Sequence, residues 1–277
     1  MINQTFVLDS RYPDCTFTTF LHDISPEMPH APRRAIIVCP GGGYQALSDR
    51  ENEPVALQYF AAGLNVFVLR YSVQENAANN APLVEAALAV KHVRDHAAEY
   101  DIDPAYVFII GFSAGGHCAA MCGTLWNDPV IREALGIDRG EAPEGINRPT
   151  ATILCYPVIT GGPYTHRGSI DALCGGPSAG TPGADRFSLE LHVDATTAPA
   201  FIWHTFNDMA VPIQNTLLYA SALAAAGVPF EYHVYPDGPH GLSLCTEETA
   251  YGNPALVNSA AANWVRDSIR YIRSFSA

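Results

Sequence analysis

Six short, almost wholly apolar runs alternate with stretches of helical character, and this alternation constrains the fold more than any other feature. Runs of this kind are typical of strands that are buried on both faces of a central parallel sheet. Between them, residues 82–98, 211–226 and about 255–275 place apolar side chains on one helical face. The alternation predicts an α/β fold, with a mainly parallel, twisted sheet flanked by helices. The six runs are 35–39, 65–69, 106–110, 151–156, 200–204 and 230–235.

The rest of the chain predicts additions to that sheet. Segments 4–9 and 16–22 alternate loosely between apolar and polar residues, which predicts an antiparallel pair of strands before the parallel ones. We find no internal repeat or linker, so residues 1–277 are predicted to form a single domain. Two stretches rich in Gly, Pro, Thr and Asp, 127–149 and 157–199, break the alternation. We expect them to be loop or cap insertions over the carboxyl edge of the sheet, where such folds bind ligands.

Charge and composition exclude several classes of partner. The chain has 28 acidic and 15 basic residues, a net charge of −13, and no basic cluster of the kind that binds phosphates. Nucleic acid and anionic membranes are therefore not expected as partners. The N-terminus lacks the pattern of a signal peptide, no apolar run approaches the roughly 18 residues of a membrane span, and no cysteines form CxxC pairs. These features predict a cytoplasmic protein with reduced thiols.

A serine motif follows the third apolar run. Gly111-Phe112-Ser113-Ala114-Gly115 has the pattern G-x-S-x-G and stands between a predicted strand and a stretch of small residues. This strand–turn–helix context is the setting in which the pattern carries a nucleophilic serine at the start of a helix. The alternative is a strand-to-helix turn of no catalytic use. The context favours the nucleophile.

A nucleophilic serine needs a histidine base, which is oriented by a carboxylate, and in this type of fold the chain order is serine, acid, histidine. Asp208 follows the 200–204 run in HTFNDMAVP, and His240 follows the 230–235 run in PDGPHGLS. Both therefore lie at carboxyl ends of predicted strands, and the predicted triad is Ser113, Asp208 and His240. The rival residues are disfavoured by their positions. His117, His204 and His233 lie within a predicted helix or strand, and Asp194 precedes its strand. Asp237 is only three residues from His240.

Acyl transfer also needs amide donors for the oxyanion. The sequence PGGGY at 40–44 directly follows the 35–39 run, and its glycines leave backbone amides unobstructed. We expect Gly42 and Gly43, with Ala114 after the serine, to supply these donors. A phosphate-binding loop is the alternative for PGGGY, but no Lys-Ser/Thr follows it and G-x-G-x-x-G is absent.

The chain resembles the α/β-hydrolase superfamily, and within it the small bacterial acetyl esterase and acetyl-xylan-esterase-like (carbohydrate esterase) group. The likeness covers nearly the whole chain and rests on blocks 39–71, 81–119 and 198–244, which contain CPGGGY, GFSAGG, WHTFNDMAVP and PDGPHG. It implies the α/β-hydrolase fold, with no metal and no cofactor. Pro40 departs from the HGGG form of lipase-like relatives, which disfavours a lipase-like acyl site without affecting main-chain donors.

By this resemblance, Ser113 is the nucleophile, His240 the base and Asp208 its orienting acid. The same likeness implies that Gly42, Gly43 and Ala114 form the oxyanion hole.

Other polar residues are candidates for substrate contacts or metal binding. We expect Tyr44, Arg50, His166 and Arg167 near the substrate, although Arg50 and the adjacent Glu51 are equally suited to the start of an ordinary helix. His92 and His96 are four apart on a predicted helix. Arg94 between them disfavours a metal site, so we predict none.

The sequence thus predicts a serine esterase that removes short acyl groups, acetyl foremost, from small polar or carbohydrate esters through an acyl-enzyme. The partner is then a small-molecule ester such as an acetylated sugar. An amide hydrolase on the same fold, a formamidase or small peptidase, remains an alternative, as does a non-catalytic binding module. The oligomeric state stays open, a homodimer being one option.

Overall fold

Eight strands form one sheet in the part of the chain described by the computed structural model, residues 1–27 and 31–276. In chain order they are β1 (Ile2–Val7), β2 (Thr16–Leu21), β3 (Arg33–Cys39), β4 (Asn65–Arg70), β5 (Ile102–Phe112), β6 (Thr152–Cys155), β7 (Ala200–Thr205) and β8 (Phe230–Tyr235). Their spatial order is β1-β2-β4-β3-β5-β6-β7-β8. The pairs β1–β2 and β2–β4 are antiparallel, and all the others are parallel.

The predicted fold class is confirmed, because each apolar run lies in one of the parallel strands and the N-terminal pair is antiparallel. The reason is visible in β3. Ile36 and Val38 pack into the core on one side of the sheet, whereas Ala35 and Ile37 pack into the core on the other. A strand that is covered on both faces needs an apolar residue at every position.

Helices cover both faces of the sheet. They are α1 (Glu53–Ala61), α2 (Ala81–Asp95), α3 (Ala114–Thr124), α4 (Pro129–Ala134), α5 (Arg167–Cys174), α6 (Pro182–Arg186), α7 (Gln214–Ala225), α8 (Glu247–Ala250) and α9 (Trp264–Ser274). The helices predicted at 82–98 and 211–226 are confirmed as α2 and α7. The one predicted at about 255–275 starts only at Trp264, because the Asn258 side chain accepts the amides of Ala260 and Ala261 and holds a turn there.

The two glycine- and proline-rich stretches have different locations. Residues 157–199 leave the carboxyl end of β6 and contain α5 and α6, which agrees with a position over that edge. Residues 127–149 instead join the end of α3 to the start of β6. Because α3 runs back toward the amino ends of the strands, this stretch lies at the opposite edge, and the expectation that it covers the active site is wrong.

The predicted site residues lie together at one edge of the sheet. Strands β3, β5, β6, β7 and β8 are parallel neighbours, so the loops after their carboxyl ends lie side by side. These loops carry the PGGGY segment, Ser113, Asp208 and His240. Among the described residues, no helix has both the length and the hydropathy to cross a bilayer.

Candidate active site

Ser113 occupies the sharp turn between β5 and α3. Its backbone has φ 53° and ψ −117°, a conformation that side-chain-bearing residues rarely adopt. The surroundings hold it there: the Ser113 amide donates to the carbonyl of Cys155 at 3.0 Å, and its carbonyl accepts from the amide of Val158 at 3.0 Å. The neighbouring strand thus fixes the strained serine backbone at the carboxyl edge.

The glycines of the G-x-S-x-G motif are required by close backbone contacts. A Cβ atom at Gly115 would lie 2.1 Å from the carbonyl oxygen of Cys39 and 2.3 Å from that of Pro40. A Cβ atom at Gly111 would lie 1.9 Å from the carbonyl oxygen of Gly115. A larger residue at Gly115 would therefore separate the serine turn from the PGGGY segment, and one at Gly111 would distort the serine turn itself.

The three predicted triad side chains form one hydrogen-bonded chain. His240 Nε2 lies 2.8 Å from Ser113 Oγ, and His240 Nδ1 lies 2.6 Å from Asp208 Oδ2. Since a carboxylate accepts the Nδ1 proton, Nε2 is left to accept the serine hydroxyl proton. This is the geometry of a serine activated by an oriented base.

Asp208 is held by more than His240. Its Oδ1 accepts the amides of Ala210 and Val211, each at 2.9 Å, and its Oδ2 also lies 3.2 Å from Nε2 of His204. Burial alone would raise the pKa of Asp208, but the hydrogen bonds from His204 and His240 outweigh it and hold the pKa well below its usual range. Asp208 is therefore ionised at neutral pH. The position of His204 within a predicted strand carries no signal of this contact, so the sequence does not predict it.

The PGGGY segment, which we call the oxyanion loop (residues 40–44), is anchored at its first residues. The Tyr71 hydroxyl donates to the carbonyl of Pro40 at 2.5 Å, and the amide of Gly41 donates to Glu51 Oε2 at 2.8 Å. Gly42 and Gly43 have φ values of 140° and 67°. Their amides donate to no other residue in the described part of the chain. Both are thus available to an oxyanion.

Ser113 lies in a pocket of about 400 Å³ that combines the predicted parts of the site. This volume is within the range of small-molecule sites. The lining residues are Gly42, Gly43, Gln45, Ser48, Arg50, Glu51, Ser113, His166, Gly168, His240 and Gly241.

Two of the four expected substrate contacts lie in this pocket. His166 presents its ring to the oxyanion loop, since its Cε1 is 3.6 Å from where a Cβ atom of Gly43 would be, and its Nδ1 is 2.9 Å from Ser169 Oγ. Burial lowers the pKa of His166, and His240 nearby adds to this. Arg50 also lines the pocket, but its guanidinium donates to the carbonyls of Gly241, at 2.7 Å, and Thr249.

The other two lie elsewhere. Tyr44 is fully buried, with its hydroxyl 3.0 Å from Nδ1 of His117. The guanidinium of Arg167 donates to the carbonyl of Gly161 at 3.2 Å and to Ser178 Oγ at 3.3 Å. Neither lines the pocket around Ser113, so the expectation that they contact substrate stays a prediction that this pocket does not support. Tyr44 instead anchors the end of the oxyanion loop in the core.

No metal site emerges from the residues that the structure describes, since none of their His, Cys, Asp and Glu side chains form a group of three or more with an arrangement that could hold a metal ion. His92 Nε2 lies 3.0 Å from the hydroxyl of Tyr100, and the rings of His92 and His96 stack at 4.1 Å. Burial lowers the pKa of His92 to about 4. This histidine pair is therefore part of an aromatic cluster.

A parallel sheet that carries a serine on a strand-to-helix turn, followed in chain order by an aspartate and a histidine, defines the α/β-hydrolase class. Comparisons with known proteins agree. The BD-FAE family model matches residues 23–159, and that of the prolyl oligopeptidase family matches residues 178–250. The crystal structure of an acetyl ester-xyloside bifunctional hydrolase from Caldicellulosiruptor lactoaceticus is 33% identical, with a TM-score of 0.76, over 94% of this chain and 88% of that one. The chain therefore belongs to the α/β-hydrolase family.

Two curated relatives are longer than this chain. Endo-1,4-beta-xylanase B of Butyrivibrio fibrisolvens is 37% identical over 78% of this chain, which spans 33% of that protein. An acetylxylan esterase of Xylanibacter ruminicola is 30% identical over 80% of this chain, which spans 43% of that protein. The chain thus spans less than half the length of either.

Proposed function

We propose that this chain is a serine carboxylic ester hydrolase that removes acetyl groups from carbohydrate or other small polar esters. The observation that carries the proposal is the unbroken chain from Ser113 Oγ through His240 to Asp208, with contacts of 2.8 and 2.6 Å. It opens into a pocket that also contains unpaired amides of the oxyanion loop.

In the first half of the reaction, Ser113 Oγ attacks the ester carbonyl carbon while His240 Nε2 takes the hydroxyl proton. The amides of Gly42, Gly43 and Ala114 stabilise the negative charge on the carbonyl oxygen. When the C–O bond to the alcohol breaks, the imidazolium donates its proton to the leaving oxygen. Asp208 stabilises that imidazolium and remains ionised.

In the second half, water replaces the alcohol. His240 removes a proton from the water as its oxygen attacks the acyl-enzyme carbonyl, and the same amides stabilise the second oxyanion. The bond to Ser113 Oγ then breaks, and His240 returns the proton to the serine. The acid leaves, and the enzyme is restored.

The proposed acyl group is small because a side chain of the pocket lining lies against the oxyanion loop. The ring of His166 closes the space beside Gly43. One relative is named an acetylxylan esterase and another an acetyl ester-xyloside bifunctional hydrolase, which supports acetyl as the acyl group. The match to endo-1,4-beta-xylanase B covers only 33% of that protein, so xylanase activity is not part of the function proposed for this chain.

We place the alcohol part of the substrate toward a second cavity. This cavity has a volume of about 750 Å³ and is also lined by His240, the residue that protonates the leaving alcohol. Asn207, Asp237 and Met209 contribute polar and apolar surface to it, a combination suited to the hydroxyls and C–H faces of a sugar. The net charge of −13 also favours a neutral ester over an anionic one.

The proposal is tested with Ser113→Ala and, as a matched control, Ser274→Ala on the last helix. We expect Ser113→Ala to lower turnover of p-nitrophenyl acetate and acetylated xylo-oligosaccharides by on the order of 10⁴–10⁶, with Ser274→Ala unchanged. Persistent activity in Ser113→Ala would overturn the mechanism. Faster turnover of N-formylkynurenine or a prolyl amide than of esters would overturn the substrate class.

A further inference from the structure

Glu51 is a buried carboxylate that the mechanism above does not use. It ends a 3₁₀ turn, Asp49–Glu51, and is only 3% exposed. Its Oε2 accepts the amide of Gly41 at 2.8 Å, and its Oε1 accepts the hydroxyl of Tyr156 at 2.6 Å. Both oxygens are thus bonded to groups at the carboxyl edge of the sheet, one of them in the oxyanion loop.

Tyr156 connects this carboxylate to the loop that carries the catalytic histidine. Its hydroxyl oxygen accepts the amide of Ser243 at 2.8 Å, three residues after His240. Its ring packs edge-to-face against that of His240, with 5.1 Å between centroids. Ser243 Oγ donates to the carbonyl of Arg50 at 2.5 Å, which closes a ring of contacts back to the turn of Glu51.

The carboxylate also lies close behind the nucleophile. A Cβ atom at Gly41 would be 2.6 Å from Glu51 Oε2 and 3.1 Å from the Cβ atom of Ser113. Glu51 Oε2 and the side chain of Ser113 therefore both lie beside Gly41. Glu51 is within reach of the serine turn, the oxyanion loop and, through Tyr156, the histidine loop.

Burial of a carboxylate costs free energy, and the start of an ordinary helix does not require it. Burial raises the pKa of Glu51, and hydrogen bonds from Tyr156 and from the Gly41 amide partly offset this, as do the nearby His240 and Arg50. Tyr71, beneath the oxyanion loop, and Cys155 also lie within electrostatic range of Glu51. A buried carboxylate adds little net stability, so its value lies in the arrangement that it specifies.

We propose that Glu51 is a positioning residue, which fixes the oxyanion loop and the histidine loop relative to each other behind Ser113. It acts through Gly41 on the amides of Gly42 and Gly43, and through Tyr156 on His240. The inference rests on the proposed function, because its effect is on the geometry of acyl transfer.

Glu85 provides a matched control. It is also a fully buried carboxylate, on α2, and it accepts the amide of Ser72 at 2.8 Å and the Ser72 hydroxyl. Neither of these contacts involves the oxyanion loop or the histidine loop. A variant of Glu85 therefore reports what the loss of a buried carboxylate does to stability alone.

The experiment compares Glu51→Gln, Glu51→Ala, Tyr156→Phe and Glu85→Gln for p-nitrophenyl acetate hydrolysis, with thermal unfolding measured on each. Loss of a correctly placed oxyanion donor lowers kcat by about 10²–10³. We therefore expect Glu51→Ala to lower kcat about 100-fold, with KM changed less than about threefold. Glu51→Gln, which still accepts the Gly41 amide, and Tyr156→Phe should each lose about tenfold, and Glu85→Gln should keep wild-type kcat.

Two further measurements keep the outcomes separate. If the residues act as one network, adding Tyr156→Phe to Glu51→Ala should lower kcat by less than the product of the single losses. Fluorophosphonate labelling of Ser113 should slow in Glu51→Gln and not in Glu85→Gln. No labelling and no ester turnover in the wild type would overturn the proposed function. If the wild type is active but Glu51→Gln and Glu85→Gln show equal kcat and equal labelling rates, the role of Glu51 is overturned and the proposed function stands.

Discussion

His204 donates a hydrogen bond to Asp208, with 3.2 Å between Nε2 and Oδ2. The same nitrogen lies 2.9 Å from the carbonyl of Val211, which can only accept, so Nε2 carries a proton. Asp208 Oδ2 is therefore shared between His204, in the strand, and His240, in the loop. The carboxylate that orients the proposed base is itself oriented from inside the sheet.

We expect His204→Ala to lower kcat for p-nitrophenyl acetate by about tenfold or more, because Asp208 loses a donor that holds its orientation. His233→Ala is the matched control. This histidine lies on the adjacent strand and contacts Glu231 at 2.7 Å. Steady-state kinetics on samples shown to be folded measures kcat for both variants. Equal kcat values for His204→Ala and His233→Ala would contradict the prediction.

His166→Ala should broaden acyl selectivity. Removing the ring beside Gly43 leaves space for a longer chain, and each additional methylene that a pocket accepts is worth about 1–3 kcal/mol in kcat/KM. We expect the butyrate-to-acetate ratio of kcat/KM for p-nitrophenyl esters to rise at least about tenfold. His192→Ala, in the same 157–199 segment but outside the pocket, should leave the ratio unchanged. An unchanged ratio in His166→Ala would place the acyl group elsewhere.

Gly42→Ala should disable the oxyanion loop. Gly42 has φ 140°, and a Cβ atom there would lie 2.1 Å from the carbonyl oxygen of Ala46, so the loop must move. We expect kcat to fall by about 100-fold or more. Gly180→Ala, with φ 68° and no atom within 4 Å of the added methyl, is the control for backbone strain alone. Equal kcat values for these two variants would argue against Gly42 as part of the oxyanion hole.

Glu85 should make stability depend on pH. Burial raises its pKa from 4.5 to about 7, so between these values the unfolded chain releases a proton that the folded chain retains. The free energy of unfolding therefore falls as pH rises from about 4.5 to 7, by up to about 3 kcal/mol from this group, and levels off above. Urea unfolding at pH 5 and pH 8 should show a smaller loss for Glu85→Gln than for the wild type. An identical loss in both proteins would contradict the assignment.

The sheet was predictable from sequence because burial on both faces leaves a local signature. The 65–69 and 230–235 runs lie within β4 and β8 with bounds that agree to one residue. The stretch 127–149 was misplaced for a different reason. Its composition marked it as irregular, but only the path of α3 determined at which edge of the sheet it lies.

The sequence by itself determined the order of the parts along the chain: a serine turn, a later aspartate and a final histidine, each after a strand that had to be buried. Parallel strands bring such positions to one edge, so Ser113, Asp208 and His240 could be predicted without coordinates. The partners of buried polar groups could not. Glu51 and Tyr156 are 105 residues apart, and a glutamate at a helix start has the same sequence pattern whether or not it meets a tyrosine. Only the tertiary structure decided these contacts, because they depend on which loops become neighbours once the sheet is assembled.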